Sequence, residues 1–212
     1  MEQETICKKI NLTPQEARQK AEDLFAQGYN CAQSVAAVFS EELGISQKTM
    51  LRLAQPFGAG MGRMREVCGC VSGMFLALGL INGSDDSQDK ASKTECYDNT
   101  QKLAEEFRKQ NGSIICRELL GLVPMGQSEN ALKNHTQIDH VIQSPQSEER
   151  TPEYYKKRPC KQLAGDAAYM LCDNVYRRIQ GSSTLGDSGV KISVQNTGNI
   201  QPLTPLNIKS NI

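Results

Sequence analysis

Cysteine is the residue type in this chain that is best suited to chemistry, because a thiolate is both a nucleophile and a metal ligand. The 212-residue sequence contains eight cysteines, at positions 7, 31, 68, 70, 96, 116, 160 and 172. No two of them form a CxxC pair, so neither a thioredoxin-type dithiol nor a local zinc finger is indicated. About half of the eight are expected to be only small buried side chains. The others would have to act together from distant parts of the sequence.

Cys68 and Cys70 stand one residue apart in the stretch EVCGCVSG, at the start of an apolar run. If both lie in one helix, their side chains point roughly 200° away from each other. The pair is therefore not expected to chelate one metal or to form a disulfide. A thiol at a helix N-terminus is biased toward the thiolate by the helix dipole. We expect Cys68, nearer the helix start, to be the working thiol and Cys70 to face packing or a neighbouring helix.

A glycine-spaced loop, FGAGMGRM, precedes these two cysteines and contains Gly58, Gly60 and Gly62. It does not match a dinucleotide-binding motif, because Arg63 stands where the last glycine is required, and it lacks the Gly-Lys-Ser/Thr ending of a phosphate loop. The favoured interpretation is a tight backbone turn. The alternative is a nest of amide N–H groups that faces an anionic cluster held by Cys68.

The elements that must position these residues are helical almost throughout. Thr13, Pro14 and Glu16 form a capping-box pattern, and the helix that they open is predicted to end at Gly28. Further helices are predicted over residues 30–44, 46–55, 65–80, 88–109, 114–121 and 160–180, with only short helical pieces in the polar segment 122–158. We predict a single-domain all-α helical bundle in residues 1–180, followed by a polar, largely irregular C-terminal tail in residues 181–212.

Composition excludes several function classes. Lys and Arg number 24 against 24 Asp and Glu, so no basic field for nucleic acid is expected, and tryptophan is absent. The longest apolar stretch, residues 71–81, is shorter than the about 20 residues that a membrane span needs, so no membrane insertion is expected.

No signal-peptide pattern begins the sequence, and we expect a cytoplasmic protein, in which disulfides are rare and metal or redox chemistry is therefore favoured as the role of the cysteines. His135 and His140 lie in a polar stretch and are expected to be solvated.

With these cysteines and glycines in view, the chain resembles the redox-active proteins of the C_GCAxxG_C_C type, which also resemble the non-haem domain of split-Soret cytochromes. The resemblance runs through GYNCAQSV, FGAGMGRMREVCGCVSGMFLALGL, NGSIICRELLG and RPC, over about residues 15–178. It implies that the family's four cysteines are Cys31, Cys68, Cys116 and Cys160. The family's Cys-Gly-Ala-x-x-Gly core falls on residues 68–73, where Cys70 replaces the alanine.

The resemblance implies a redox site built from those four cysteines, each at or near a predicted helix start. Four thiolates suit an iron–sulfur cluster and zinc equally, and the likeness to a split-Soret domain implies a [2Fe-2S] centre rather than zinc. The leading hypothesis is an iron–sulfur protein for electron transfer or redox sensing. Such a protein needs a redox partner protein, which the sequence does not identify. A homodimer is compatible with this hypothesis. The glycine loop, Gly58, Gly60 and Gly62, would then shield the cluster sulfurs.

Three alternatives stay open. The four cysteines could hold structural zinc in an interaction protein, or could simply be buried packing thiols. In the third alternative the protein is a thiol oxidoreductase in which Cys68 attacks, and Cys70 or another cysteine resolves the mixed disulfide. Whether the protein is an enzyme is also left open by the sequence.

Overall fold

The computed structural model describes residues 10–127 and 145–182, and within these ranges the chain is all-α, without a strand. The predicted fold class is confirmed. The helices in chain order are α1 Pro14–Ala26, α2 Cys31–Ala36, α3 Gln47–Ala54, the one-turn segment α4 Gly58–Met61, α5 Gly69–Asn82, α6 Lys90–Asn111, α7 Cys116–Leu119, α8 Pro152–Lys156 and α9 Cys160–Ser182, with 3₁₀ turns η1 Ala37–Phe39 and η2 Gln55–Phe57. Cys7, His135, His140 and the predicted tail from residue 183 lie outside the described ranges.

The first two helices begin at the predicted caps. Thr13 accepts a hydrogen bond from the backbone N–H of Glu16, whose carboxylate in turn accepts one from the Thr13 N–H. Asn30 makes the same reciprocal box with Gln33 at the start of α2. Each box satisfies backbone donors that have no partner within the helix, which fixes the first turn. The caps thus set the residue at which each helix starts, and Cys31 is the first residue of α2.

Two helix boundaries differ from the sequence prediction by more than about one turn or at the site itself, and other ends differ by a few residues. The helix predicted over 30–44 is wrong in length, because α2 ends at Ala36 and continues only as the 3₁₀ turn η1. There the Ser40 hydroxyl and the Ser40 N–H both bond to the carbonyl of Ala37, which tightens the chain into an i→i+3 turn. The apolar helix begins at Gly69 rather than near Arg65, and Cys68 is its N-cap residue.

The apolar helix α5 lies at the centre of the bundle and packs against α2, α6 and α9. Its buried side chains include Met74 and Leu78, which belong to one continuous core with Leu103 and Phe107 of α6. α9 packs closely along α1, where the Arg18 guanidinium pairs with the buried Asp166 carboxylate at 2.6 Å. Within the described residues, no helix has the length and apolar character that crossing a membrane requires.

Candidate functional site

The four cysteines singled out from the sequence meet at one place in the bundle. Cys31, Cys116 and Cys160 are the first residues of α2, α7 and α9, and Cys68 is the N-cap of α5. All four are buried, with at most 7 % of their surface exposed, and they line a common cavity of about 20 Å³. Four helix starts from distant parts of the chain therefore converge, as the sequence predicted for a helical bundle.

Cys31 is fixed by contacts on both sides of its cap. The Asn30 side chain, besides capping α2, donates a hydrogen bond from Nδ2 to the Gln55 carbonyl at 3.0 Å. The Gln33 amide donates to the Leu51 carbonyl at 3.0 Å, which ties the first turn of α2 to α3. Gly58 lies so close to Asn30 that a Cβ on the glycine would collide with the asparagine side chain. The start of α2 is thus held rigidly against the glycine loop.

Cys68 and Cys116 are brought side by side by a short antiparallel pairing. Val67 and Ile115 form an isolated β-bridge. The Cys68 N–H donates to the Ile114 carbonyl at 2.8 Å, and the Cys116 N–H donates to the Glu66 carbonyl at 2.6 Å. This pairing occupies the residues just before Cys68, which explains why α5 cannot begin at Arg65.

Two glycines one turn apart on α5 allow α2 to approach. A Cβ on Gly73 would lie 2.5 Å from the carbonyl oxygen of Ala32, and a Cβ on Gly69 would lie 3.0 Å from the Cβ of Cys31. Real Cβ atoms do not approach other atoms so closely, so any larger residue at Gly73 would push α2 away. The Gly-xxx-Gly spacing therefore brings Cys31 within reach of the thiols at the start of α5.

The glycine loop forms a left-handed turn beneath the cysteines. Five consecutive residues, Ala59 to Arg63, have φ between +55° and +73°. This region costs roughly 1–2 kcal/mol for each residue with a side chain, so the surrounding structure must impose it. Gly60 fits directly under Cys116, where an added Cβ would lie 2.6 Å from the cysteine Cβ. The prediction of a tight turn is right. The left-handed conformation also includes non-glycine residues, for which the sequence did not predict it.

One amide of this turn reaches a site sulfur. The Ala59 N–H donates a hydrogen bond to Cys31 Sγ, whereas the sequence hypothesis directed the glycine amides toward a cluster at Cys68. Of the three predicted glycines, Gly58 and Gly60 adjoin the site. A Cβ added at Gly62 would meet only the Pro56 carbonyl oxygen, at 3.7 Å. The loop therefore contacts the thiols, and it does so through an alanine amide.

Cys70 is a fifth thiol at the site. It is fully buried, and its thiol donates a hydrogen bond to the Cys160 carbonyl oxygen at 3.9 Å. The neighbouring Cys31 and Cys68 thiols, together with burial, raise the pKa of Cys70 well above its usual range. Cys68 lines the cavity and Cys70 does not, as expected if one of the pair faces the site and the other faces packing, although the reason is not the predicted one. Helix geometry does not apply to the pair, because Cys68 is the N-cap with an extended ψ of 132° and only Cys70 lies inside the helix.

The thiols are not electrostatically equivalent. Hydrogen bonds from the Cys160 and Cys70 thiols, aided by the Ala59 amide, hold the pKa of Cys31 well below its usual range despite burial. The hydrogen bond to Cys31, together with burial, raises the pKa of Cys160 well above its usual range. Burial raises the pKa of Cys116 to about 12. The surroundings of Cys31 thus favour its thiolate.

Arginines supply positive charge around the thiols. Arg65 is 1 % exposed, lines the cavity and donates a hydrogen bond to Cys116. Arg158 also lines the cavity, and the charge of Arg150 acts on Cys31. Sequence reasoning missed these residues. The arginines at 150 and 158 come from the polar segment 122–158, in which only the Thr151-Pro152 cap pattern of α8 gave a structural signal.

Glu148 connects the arginines into a network over the site. Its carboxylate lies 2.7 Å from Arg158, 3.1 Å from Arg63 and 3.6 Å from Arg65. Burial acts to raise the pKa of Glu148, but the charges and hydrogen bonds of Arg158 and Arg63 outweigh it and lower the pKa overall. The segment before α8 is thereby held over the cysteine cavity.

A larger pocket opens beside this network. It has a volume of about 410 Å³ and shares Arg65, Leu120, Tyr154 and Arg158 with the wall of the cysteine cavity. Molecules in this pocket would be separated from the thiols by one layer of side chains. The pocket size falls within the range of small-molecule sites.

Cys96 and Cys172 do not join the site. Cys96 is half-buried on α6, and the buried Cys172 thiol donates to the Leu12 carbonyl at 3.0 Å. In residues 10–127 and 145–182, no group of three or more Cys, His, Asp or Glu side chains has the arrangement of a preformed metal site.

Comparison with known proteins gives one result. The model of the family described as "Putative redox-active protein (C_GCAxxG_C_C)" matches residues 29–173, which is more than half of the chain. The match contains all four cavity-lining cysteines and Cys70. No curated protein and no solved structure matches the chain.

Proposed function

This chain belongs to the C_GCAxxG_C_C family of redox-active proteins, and on that premise we propose that it binds a [2Fe-2S] cluster for electron transfer or redox sensing. Cys31, Cys68, Cys116 and Cys160 would be the ligands. The observation that carries the proposal is that these four buried thiols, each at a helix start, line one cavity.

The donor set fits such a cluster in its chemistry. Four cysteines without histidine or carboxylate are the ligands of an all-cysteine [2Fe-2S] centre. The cavity of about 20 Å³ holds about one water molecule, so cluster binding requires the cysteine side chains to turn and the cavity to widen. Each cysteine precedes or begins a separate helix, and a rotation about its Cα–Cβ bond leaves the helix in place.

The surrounding groups are suited to a buried anion. A cluster with four thiolate ligands is net negative, and an unpaired buried anion is costly. The Ala59 amide and the Arg65 side chain donate to Cys31 and Cys116, and Arg150 and Arg158 add positive charge nearby. A bound cluster accepts and releases one electron, and positive groups of this kind raise its reduction potential by favouring the more negative reduced state.

The pocket of about 410 Å³ is the proposed side for electron exchange. Among the described residues, the pocket and the cysteine cavity share the lining residues Arg65, Leu120, Tyr154 and Arg158. A redox partner or a small electron donor would come nearest to the thiols at this pocket.

A second candidate function is thiol redox chemistry at Cys31. The specific observation is that the Cys160 and Cys70 thiols beside Cys31 hold its pKa well below its usual range. The Cys31 thiolate would attack a disulfide substrate and release one thiolate. Cys70 or Cys160 would then lose its proton, attack Cys31 and displace the second thiolate, which leaves an internal disulfide and a reduced substrate.

Anaerobic purification followed by iron, zinc and acid-labile sulfide analysis tests the proposal. We expect a brown protein with visible charge-transfer absorption and near-stoichiometric iron and sulfide. Serine variants of the four ligands should lose both, whereas Cys172→Ser and Cys96→Ser, matched controls outside the site, should keep them. A colourless protein without iron and sulfide would refute the cluster. Zinc without sulfide would indicate a structural metal, and a reversible disulfide lost in Cys31→Ser would indicate the thiol mechanism.

A further inference from the structure

Tyr154 of α8 lies in the wall between the two cavities of the site. It lines the cysteine cavity of about 20 Å³ and also the neighbouring pocket of about 410 Å³. Two other residues of this shared wall, Arg65 and Arg158, pair with Glu148 at 3.6 and 2.7 Å. Among the residues that the structure describes, Tyr154 supplies the only aromatic ring common to both linings.

The Tyr154 ring is held from several sides. The guanidinium carbons of Arg150 and Arg158 lie 4.6 and 4.7 Å from its centroid. The Tyr155 ring meets it edge to face, with 5.5 Å between the two centroids. The Tyr154 backbone N–H donates to the hydroxyl of Thr151, the N-cap of α8, at 3.2 Å. Cation–π and edge-to-face contacts together fix the ring in this wall.

The two arginines that contact this ring are themselves tied to the cysteine site. Arg150 donates a hydrogen bond at 3.4 Å to the carbonyl of Tyr29, which stands two residues before Cys31. Arg158 stands two residues before Cys160, at the start of α9. The ring is therefore fixed relative to the starts of two helices that carry proposed ligands, as well as to its own helix.

We infer that Tyr154 is the gate residue of the site, whose ring keeps small chelators, oxidants and alkylating agents in the pocket from reaching the cysteine sulfurs. The barrier follows from the two linings and from the contacts that hold the ring. Its consequence for a cluster rests on the proposed function: a reagent in the pocket would stay one side chain away from the iron. Closure of this kind protects a reactive centre from water and side reactions.

Three variants separate the ring from its hydroxyl and from general packing. Tyr154→Phe keeps the ring and its contacts with the guanidinium groups, whereas Tyr154→Ala removes the ring. Tyr176→Ala removes a partly buried ring of α9 that packs against the same core and lines neither cavity. It is therefore the matched control for a loss of packing.

The test has two arms, both on the full-length chain. In the anaerobically purified protein, absorbance follows the release of iron to bathophenanthroline in the presence of dithionite. In the metal-free protein, mass spectrometry follows iodoacetamide labelling of each site cysteine, with the half-buried Cys96 as internal reference. Tyr154→Ala should raise both rates about tenfold, because the reagents then reach the sulfurs without a local opening of the chain. Tyr154→Phe and Tyr176→Ala should keep the wild-type rates, and Cys96 labelling should stay the same throughout.

Other outcomes overturn the inference. Wild-type rates in Tyr154→Ala would show that the ring is no barrier, and an equal increase in Tyr176→Ala would show that any loss of packing suffices. The labelling is repeated at low urea, because a rate in Tyr154→Ala that rises steeply with urea would assign the access to unfolding rather than to the gate. A wild-type chain without iron and sulfide would refute the proposed function, whereas the labelling arm would still decide whether Tyr154 is the gate.

Discussion

The contact between α2 and α5 makes Gly73 the most informative single position in the fold. In a Gly73→Ala variant the new Cβ would lie 2.5 Å from the Ala32 carbonyl oxygen and 3.0 Å from the Ala32 Cα. These atoms belong to the backbone and cannot rotate away. Ordinary contact begins near 3.4 Å, so the start of α2 would have to move by roughly 0.9 Å.

The cost follows from two opposing terms. Overpacking of this kind costs about 1–3 kcal/mol, and the better helix propensity of alanine returns up to about 1 kcal/mol. We therefore expect Gly73→Ala to lower the free energy of unfolding by about 1–2 kcal/mol. Since a metal site needs its ligands placed within about 0.5 Å, the shift of Cys31 should also reduce iron content.

Gly79 is the matched control on the same helix. It is exposed, and a Cβ there would meet no atom within 4 Å. Gly79→Ala should therefore raise the free energy of unfolding by about 0.4–1 kcal/mol and leave iron content unchanged. Urea unfolding followed by circular dichroism, with iron analysis, measures both. Equal stability and equal iron content for the two variants would refute the close approach of α2 and α5.

Three further predictions concern the loop, the ion-pair network and the cap. Gly60→Ala should destabilise the fold by about 2–4 kcal/mol in thermal or urea unfolding, because it combines a left-handed backbone with a core collision. Glu148→Gln should speed alkylation of the metal-free site thiols at pH 7, whereas Glu149→Gln, a change at the exposed neighbour, should not. Because the pKa of Glu148 is lowered, the stability that its ion pairs contribute is present above its ordinary value of 4.5 and is lost as the pH falls through the folded pKa. The Glu148→Gln variant should lack this loss of stability at acid pH. Asn30→Ala and Thr13→Ala should each cost about 1 kcal/mol as N-caps, but only Asn30→Ala should lower iron content.

Local signals in the sequence were sufficient for much of the fold. The capping boxes at Thr13 and Asn30 depend on residues three positions apart, and both were visible as patterns or as cap residues. The choice of the four cysteines came from the family resemblance, but the helix starts near them could be predicted locally, because each stands where a turn gives way to a helix. All-α character, and the helix starts that present the thiols, could therefore be predicted.

The errors arose where distant segments determine the backbone. The helix predicted from Arg65 begins at Gly69 because Val67 pairs with Ile115, which lies far along the chain and carries no local mark. That pairing also makes Cys68 a cap residue, so the rule for side chains two apart in a helix does not apply to Cys68 and Cys70. The left-handed turn and the arginines over the site have the same origin, since both depend on contacts between segments rather than on spacing.

The small residues that follow the proposed ligand Cys68 on α5, namely Gly69, Cys70 and Gly73, have a physical reason in the packing. Gly69 and Gly73 let the α2 backbone touch α5, and this contact places the Cys31 sulfur against the side chain at position 70. A residue much larger than cysteine at position 70 would meet Cys31, Cys68 and the Cys160 carbonyl at once. Cys70 is fully buried at this position, and its thiol donates a hydrogen bond to the Cys160 carbonyl oxygen at 3.9 Å, so the packing admits cysteine where the family core has alanine.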